Sequence, residues 1–183
     1  EKWKSEEGWP EIVHDMQHRV GLSVGELVTG NMGSTMRMNY TMMGDIVNFG
    51  SRLESSAKQY GVYIQVEEIL YGTVKYQFEW RFLDYVRVKG RNAPVKTYEL
   101  LAKKDKLDET TKNCIDKFHD AQKLYFDQKW DKAINGFKES EKLENMFAGR
   151  NTNPSTVYID RCKALKENPP GKDWDGVWTL TAK

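Results

Sequence analysis

The stretch YTMMGDIVNFGSRLE, residues 40–54, follows VGELVTGNMGS at 24–34 and decides how this chain is read. After Gly44, Asp45 is a good N-cap, and Ile46, Phe49, Gly50, Leu53 and Ala57 recur at helical spacing to about Tyr60, where Gly61 ends the run. The pattern predicts one amphipathic helix. Asn48 and Arg52 are four residues apart, so they share a face opposite the Ile46, Phe49 and Leu53 stripe and can reach one ligand together.

Upstream, RVGLSVGELVT at 19–29 sets Val20, Leu22 and Val24 against small or polar neighbours, which is the period of a strand with one buried face. GNMGS at 30–34 reads as a turn, and Met36, Met38, Tyr40 and Met42 alternate with Arg37, Asn39 and Thr41, so the two runs predict a hairpin. Downstream, Val62, Ile64 and Val66 alternate as a strand and EEILYGTVK reads as a short helix. FEWRFLDYVRVKG and Val95 to Leu101 read as two further strands.

Strands and helices thus alternate to about residue 102, an α+β pattern, and the acid- and lysine-rich residues 103–112 read as a linker. Residues 113–183 are mainly helical. Phe118, Ala121, Leu124 and Tyr125 give one apolar stripe and Trp130, Ala133 and Phe137 another, with Asp127-Gln128-Lys129 as the turn between them. Pro154 opens a third helix to about Lys166, Pro169-Pro170 stops it, and Trp174 and Trp178 lie on an extended tail. The spacing approaches one tetratricopeptide unit without a second copy, so its apolar side is expected to dock on the preceding domain.

Composition narrows the function classes. The 183 residues carry a formal charge of +1 with acids and bases interspersed, which offers no basic stripe for nucleic acid or an anionic membrane surface. No apolar run spans a bilayer, and the start lacks the apolar stretch of a signal peptide. Cys114 and Cys162 are the only cysteines, too few for a disulfide framework or a zinc module, and a reducing cytoplasmic location fits them. His14, His18 and His119 have no acidic or cysteine partners at ligand spacing and read as surface or core residues.

In order, a glycine-bearing strand, a projecting arm, a strand, Gly44-Asp45 and Asn48-x-x-x-Arg52, then the late RVKGRNAPVKTYEL, resemble the class III adenylyl and guanylyl cyclases from about Arg19 to Leu101. The resemblance implies the C-terminal half of a ferredoxin-like cyclase domain over residues 1–102, an antiparallel or mixed sheet with helices on one face, followed by the tetratricopeptide-like extension. It implies that the protein forms cyclic AMP and pyrophosphate from ATP. Arg52 is then the transition-state residue, Asn48 orients the ribose, Lys89 contacts the triphosphate, and Thr41 contacts the base as in a Thr-bearing adenylyl subgroup. It makes GNMGS part of a dimer-forming arm and implies a homodimer or a complementing cyclase half as partner.

The family's two metal-binding aspartates belong to segments upstream of Arg19. Asp15 does not match them, and Asp45 belongs to the later Gly-Asp. Magnesium or manganese is therefore expected to be held by the other half, with no metal ligand here, and this chain alone is expected not to catalyse. The competing reading is a non-catalytic interaction module on a degenerate cyclase fold. The joint presence of Thr41, Asn48, Arg52 and Lys89 favours the enzyme, because a scaffold would be free to lose them.

Overall fold

The computed structural model describes residues 8–14, 16, 18–87, 93–144 and 151–179. After the short helix α1 (Glu11–His14), strand β1 (Val20–Leu22) leads through a loop into β2 (Val28–Ser34) and β3 (Arg37–Met43), which form a two-stranded antiparallel hairpin. Helix α2 (Asp45–Tyr60), β4 (Ile64–Glu67), α3 (Glu68–Val74), β5 (Phe78–Arg87) and β6 (Val95–Lys103) follow. The extension adds α4 (Glu109–Phe126), α5 (Trp130–Glu141), α6 (Pro154–Glu167) and β7 (Trp178–Thr179). The main sheet has the order β1-β4-β6-β5-β7; β1–β4 and β5–β7 are parallel and the inner pairs antiparallel, so the fold is mixed α+β.

The hairpin differs from the reading of the sequence. The run 19–29 is two strands separated by a loop, and GNMGS lies inside β2, with Gly30 opposite Thr41 and Gly33 opposite Met38. The chain leaves β1 after Leu22 because its polar groups find partners off the ladder. Ser23 Oγ donates to Ile46 O at 3.0 Å, and Val24 N donates to the buried Glu67 carboxylate at 2.6 Å. The turn then falls at Thr35-Met36.

At the start of α2 the cap is Gly44, not Asp45. Gly44 has φ 156°, no side-chain cap bond is made, and Asp45 sits in the first turn, where its charge suits the positive end of the helix dipole. Gly61 ends the helix in the left-handed region at φ 65°, as its sequence position predicts.

The helices do not all lie on one face of the sheet. Arg81, Leu83 and Glu99 face α2 and the extension, whereas Tyr98 points to the other side and stacks on Tyr71 of α3 with ring centroids 3.8 Å apart. The expected linker 103–112 is also shorter. β6 runs through Lys103, and α4 starts at Glu109 because the Asp108 side chain accepts from Thr111 N at 2.8 Å.

The extension has its own core, in which Phe118, Ala121, Tyr125, Ala133, Phe137, Tyr158 and Cys162 are buried and Trp130 and Trp174 pack against them. The capping box of Asn153 and Thr156, with Pro154 in the first turn, explains why α6 begins where it does. This core covers the outer edge of β5. His119 Nε2 accepts from Phe82 N at 3.1 Å, Gln122 Nε2 donates to Leu83 O at 2.8 Å, and β7 pairs with Val86 and Arg87. Backbone groups that would otherwise be an open sheet edge are thereby satisfied from within the chain.

Candidate active site

Helix α2 is held against the sheet so closely that only glycine fits beneath it. A Cβ on Gly21 of β1 would lie 2.2 Å from Gly50 O and 2.4 Å from Glu54 N. Ile46, Phe49 and Leu53 are buried on the inner face, Ser56 Oγ donates to Gln65 Oε1 at 2.9 Å, and Arg19 pairs with Glu54 at 3.2 Å near the surface. With that face fixed, Asn48 and Arg52 emerge exposed on the opposite side, one helical turn apart.

Thr41 is exposed on β3, opposite Gly30, a short step in sequence before α2. Lys89 lies outside the described residues, as does Asp15. A cavity of about 390 Å³ opens between the loop after β1, the base of the hairpin at Met42, and Ile46, Val47, Gly50 and Ser51 of α2, beside the turn that carries Asn48. A second cavity, lined by Phe82 of β5 and by His119, Gln122 and Phe126 of α4, lies along the seam with the extension.

Among the described residues no three His, Cys, Asp or Glu side chains converge to hold a metal ion. Burial pushes the Cys114 thiol up to about 11 and the Cys162 thiol up to about 12, which leaves both as inert core residues. His119 is held below the usual imidazole range by burial and by the nearby Arg81 guanidinium, so it stays neutral and accepts from Phe82 N. No helix among the described residues is long and apolar enough to cross a membrane.

Two buried charge clusters lie behind α2. Arg81 donates to Glu99 Oε2 from Nε at 2.8 Å and from Nη2 at 2.6 Å, and also pairs with Glu144 at the end of the α5 segment. Asp84 accepts from Tyr60 Oη at 2.6 Å and from Arg161 Nη1, and Arg161 Nη2 donates to Tyr60 Oη at 2.9 Å. Burial, then the Asp84 carboxylate, raises the Tyr60 phenol well above its ordinary value, so it stays protonated and donates. Sequence reasoning passed over Tyr60, Asp84 and Arg161. The signal for Asp84 and Arg161 was a charge at positions where the strand and helix periods call for apolar residues, and Tyr60 carried none.

A family model described as the adenylate and guanylate cyclase catalytic domain matches residues 4–102. The chain belongs to this family. Adenylate cyclase 1 of Rhizobium meliloti (strain 1021) is 33% identical over 87 residues, covering 48% of this chain and 13% of the relative. The terminal-differentiation specific adenylate cyclase of Dictyostelium discoideum is 29% identical over 148 residues, 78% of this chain and 7% of the relative.

The crystal structure of the adenylyl cyclase CyaB from P. aeruginosa is similar at 30% identity with a TM-score of 0.37, over 45% of this chain and 41% of that one. The cyclase-family chain therefore spans less than a fifth of the length of these curated relatives. The family match ends at residue 102, where β6 is about to finish, and the Dictyostelium match is too long to fit before that point. Part of the helical extension is thus shared with that cyclase.

Proposed function

We propose that this chain supplies the transition-state half of a nucleotide-cyclising site that converts ATP to 3′,5′-cyclic AMP and pyrophosphate, completed by a second chain. In that reaction the ribose 3′-oxygen loses its proton and bonds to the α-phosphorus, while the bond from that phosphorus to the oxygen of the departing pyrophosphate breaks. Negative charge grows on the equatorial and leaving oxygens. The observation that carries the reading is the placement of Asn48 and Arg52 on the open face of a helix whose other face is locked to the sheet.

Arg52 presents a planar fork of donors that meets the developing charge, and a helix fixed at this density holds it in place before the reaction. Asn48, one turn earlier, orients the ribose so that its 3′-oxygen stands near attack geometry. Thr41 reads the base edge and favours adenine, since its hydroxyl both donates and accepts. Lys89 binds the triphosphate as a compact cation. Magnesium or manganese, held by aspartates of the complementing half, supplies further charge neutralisation when bound. The uncovered β2–β3 hairpin is the surface for the second chain, and the extension acts as a single tetratricopeptide-like unit docked on its own cyclase half.

In a longer protein that includes the upstream half, Arg52→Ala is expected to lower kcat about 100- to 1000-fold while KM for ATP stays near its original value. Loss of binding with turnover intact would reject the role given to Arg52. ATP and GTP compared as alternative substrates test the base preference, and faster GTP turnover would reject the adenylyl assignment. A longer protein that makes neither cyclic nucleotide with a divalent metal would favour the interaction-module reading.

A further inference from the structure

Arg161 of α6 stands where four elements meet. Its guanidinium bonds Asp84 on β5 through Nη1 and Tyr60 at the last turn of α2 through Nη2, lies 5.1 Å from the Tyr158 ring centroid, and lies 4.2 Å from the Trp178 ring centroid on β7. Tyr60, Asp84 and Tyr158 are fully buried and Arg161 nearly so. Tyr158 Oη completes the cluster, 2.8 Å from Leu83 O and 3.0 Å from Asp84 Oδ1.

A buried ion pair is a poor source of stability, because desolvating both charges offsets most of their attraction and well-packed apolar side chains of similar volume do as well. What a guanidinium fork adds is direction, since its donors are satisfied only when each acceptor stands at one angle and distance. Here the acceptors belong to α2 and to β5.

The extension grips the same end of α2 a second time. A Cβ on Gly61 would lie 2.0 Å from Thr152 O, and Val157 of α6 packs against Ala57, Tyr60, Val62 and Leu83. The start of the helix is held by the loop after β1, through Ser23 at Ile46, and its middle lies on β1 at Gly21, beneath Gly50 and Glu54. α2 is therefore held at its start, at its middle and at its last turn, and Arg52 lies roughly 12 Å along it from Tyr60 at 1.5 Å per residue.

We infer that Arg161, acting through Tyr60 and Asp84, is a positioning residue by which the helical extension fixes α2 and so aligns Asn48 and Arg52 with the reacting nucleotide. This rests on the cyclising role proposed above. The extension is then a working part of the catalytic unit. A displacement of α2 by a fraction of its present fit reaches Arg52 as a change in angle at the transition state, with little effect on how the ground-state nucleotide is held.

The test uses the longer protein with its upstream half and two mild variants. Tyr60→Phe keeps the ring and its packing and removes only the hydroxyl, leaving Asp84 paired with Arg161. Arg161→Lys keeps the charge beside Asp84 and loses the second arm to Tyr60. Both are expected to lower kcat roughly tenfold or more with KM for ATP unchanged, because misplacement remote from the chemistry acts on the transition state. Amide hydrogen exchange is expected to quicken across residues 46–56 and to stay unchanged across α5.

Unchanged kcat and unchanged exchange in α2 would overturn the inference. So would faster exchange throughout the chain with kcat falling only in proportion to the folded fraction, since that is loss of fold. Were the unsubstituted protein to make no cyclic nucleotide, the functional proposal would fail, and exchange in α2 of the two variants would still decide whether Arg161 sets that helix.

Discussion

The β2–β3 hairpin and the seam between β5 and the extension both carry large apolar side chains and end in opposite states. In the hairpin every residue of β3 is exposed, and Met36, Met38, Tyr40, Met42 and Met43 stand in solvent, with Met36 at 96% and Tyr40 at 73% exposure. At the seam and in the extension core behind it, Phe118, Tyr125, Phe137 and Tyr158 are fully buried. Apolar content alone does not distinguish the two. The seam is closed because the extension brings polar partners as well as apolar cover: His119 and Gln122 for the edge of β5, and Arg161 for Asp84. The hairpin pairs its two strands only with each other and leaves a row of methionines uncovered, which is the composition of an adaptable contact surface.

Cutting into each region should separate them most sharply in stability. Phe137→Ala, in the buried extension core, is expected to cost about 3–5 kcal/mol, which lowers the melting temperature by roughly 10 °C for a chain of this size. Tyr40→Ala in the hairpin is expected to leave stability within about 0.5 kcal/mol and to weaken the proposed pairing with a second chain, read by light scattering against concentration. Equal losses of melting temperature in the two variants would erase the contrast.

A smaller effect is expected at the start of α6. Asn153→Ala removes the side-chain acceptor of the capping box and keeps the bond from the backbone N–H of residue 153 to Thr156 Oγ1, and is expected to cost about 1 kcal/mol, measured by urea unfolding. The same substitution should leave the proposed pairing through the hairpin untouched. A cost near zero would mean that Pro154 and the packing of Tyr158 alone set the helix start.

The smallest effect concerns pH at the seam. Burial and the Arg81 guanidinium lower the folded His119 below its ordinary 6.5. Between that lowered value and 6.5 the unfolded chain binds the additional proton, so stability rises with pH and is lost on acidification. Melting temperatures at about pH 7 and about pH 5 should therefore fall more steeply for the native protein than for His119→Gln, which keeps an acceptor for Phe82 N without a titrating ring. Parallel slopes would show that His119 is not the group responsible.

The parts of the fold that were legible in sequence are those set by local period. The stripes of α2, α4 and α5 and the prolines that bound α6 gave their helices, and the spacing of Asn48 and Arg52 against Ile46, Phe49 and Leu53 gave their shared open face. Glycine misled at Gly30 and Gly33, which read as a turn and instead lie within β2, because a hairpin arm paired on only one side tolerates residues without side chains. The pairing of β7 with β5 left no trace, since a two-residue strand has no alternation to detect and its partner is about ninety residues away in the chain. Asp84 and Arg161 broke the apolar period of their elements, but a single sequence does not say which charge meets which.

The claim that this chain completes its site with another is tested most directly by mixing two inactive forms of the longer protein. One carries Arg52→Ala, and the other has the upstream metal-binding aspartates expected from the family replaced by alanine. If Arg52 and the metal ligands of one site come from different chains, an equimolar mixture forms hybrid dimers with one intact site. Cyclic AMP formation should then return to about a quarter of the unsubstituted rate, from statistical exchange between two-fold partners. A mixture that exchanges subunits yet remains as inactive as either parent would contradict the account.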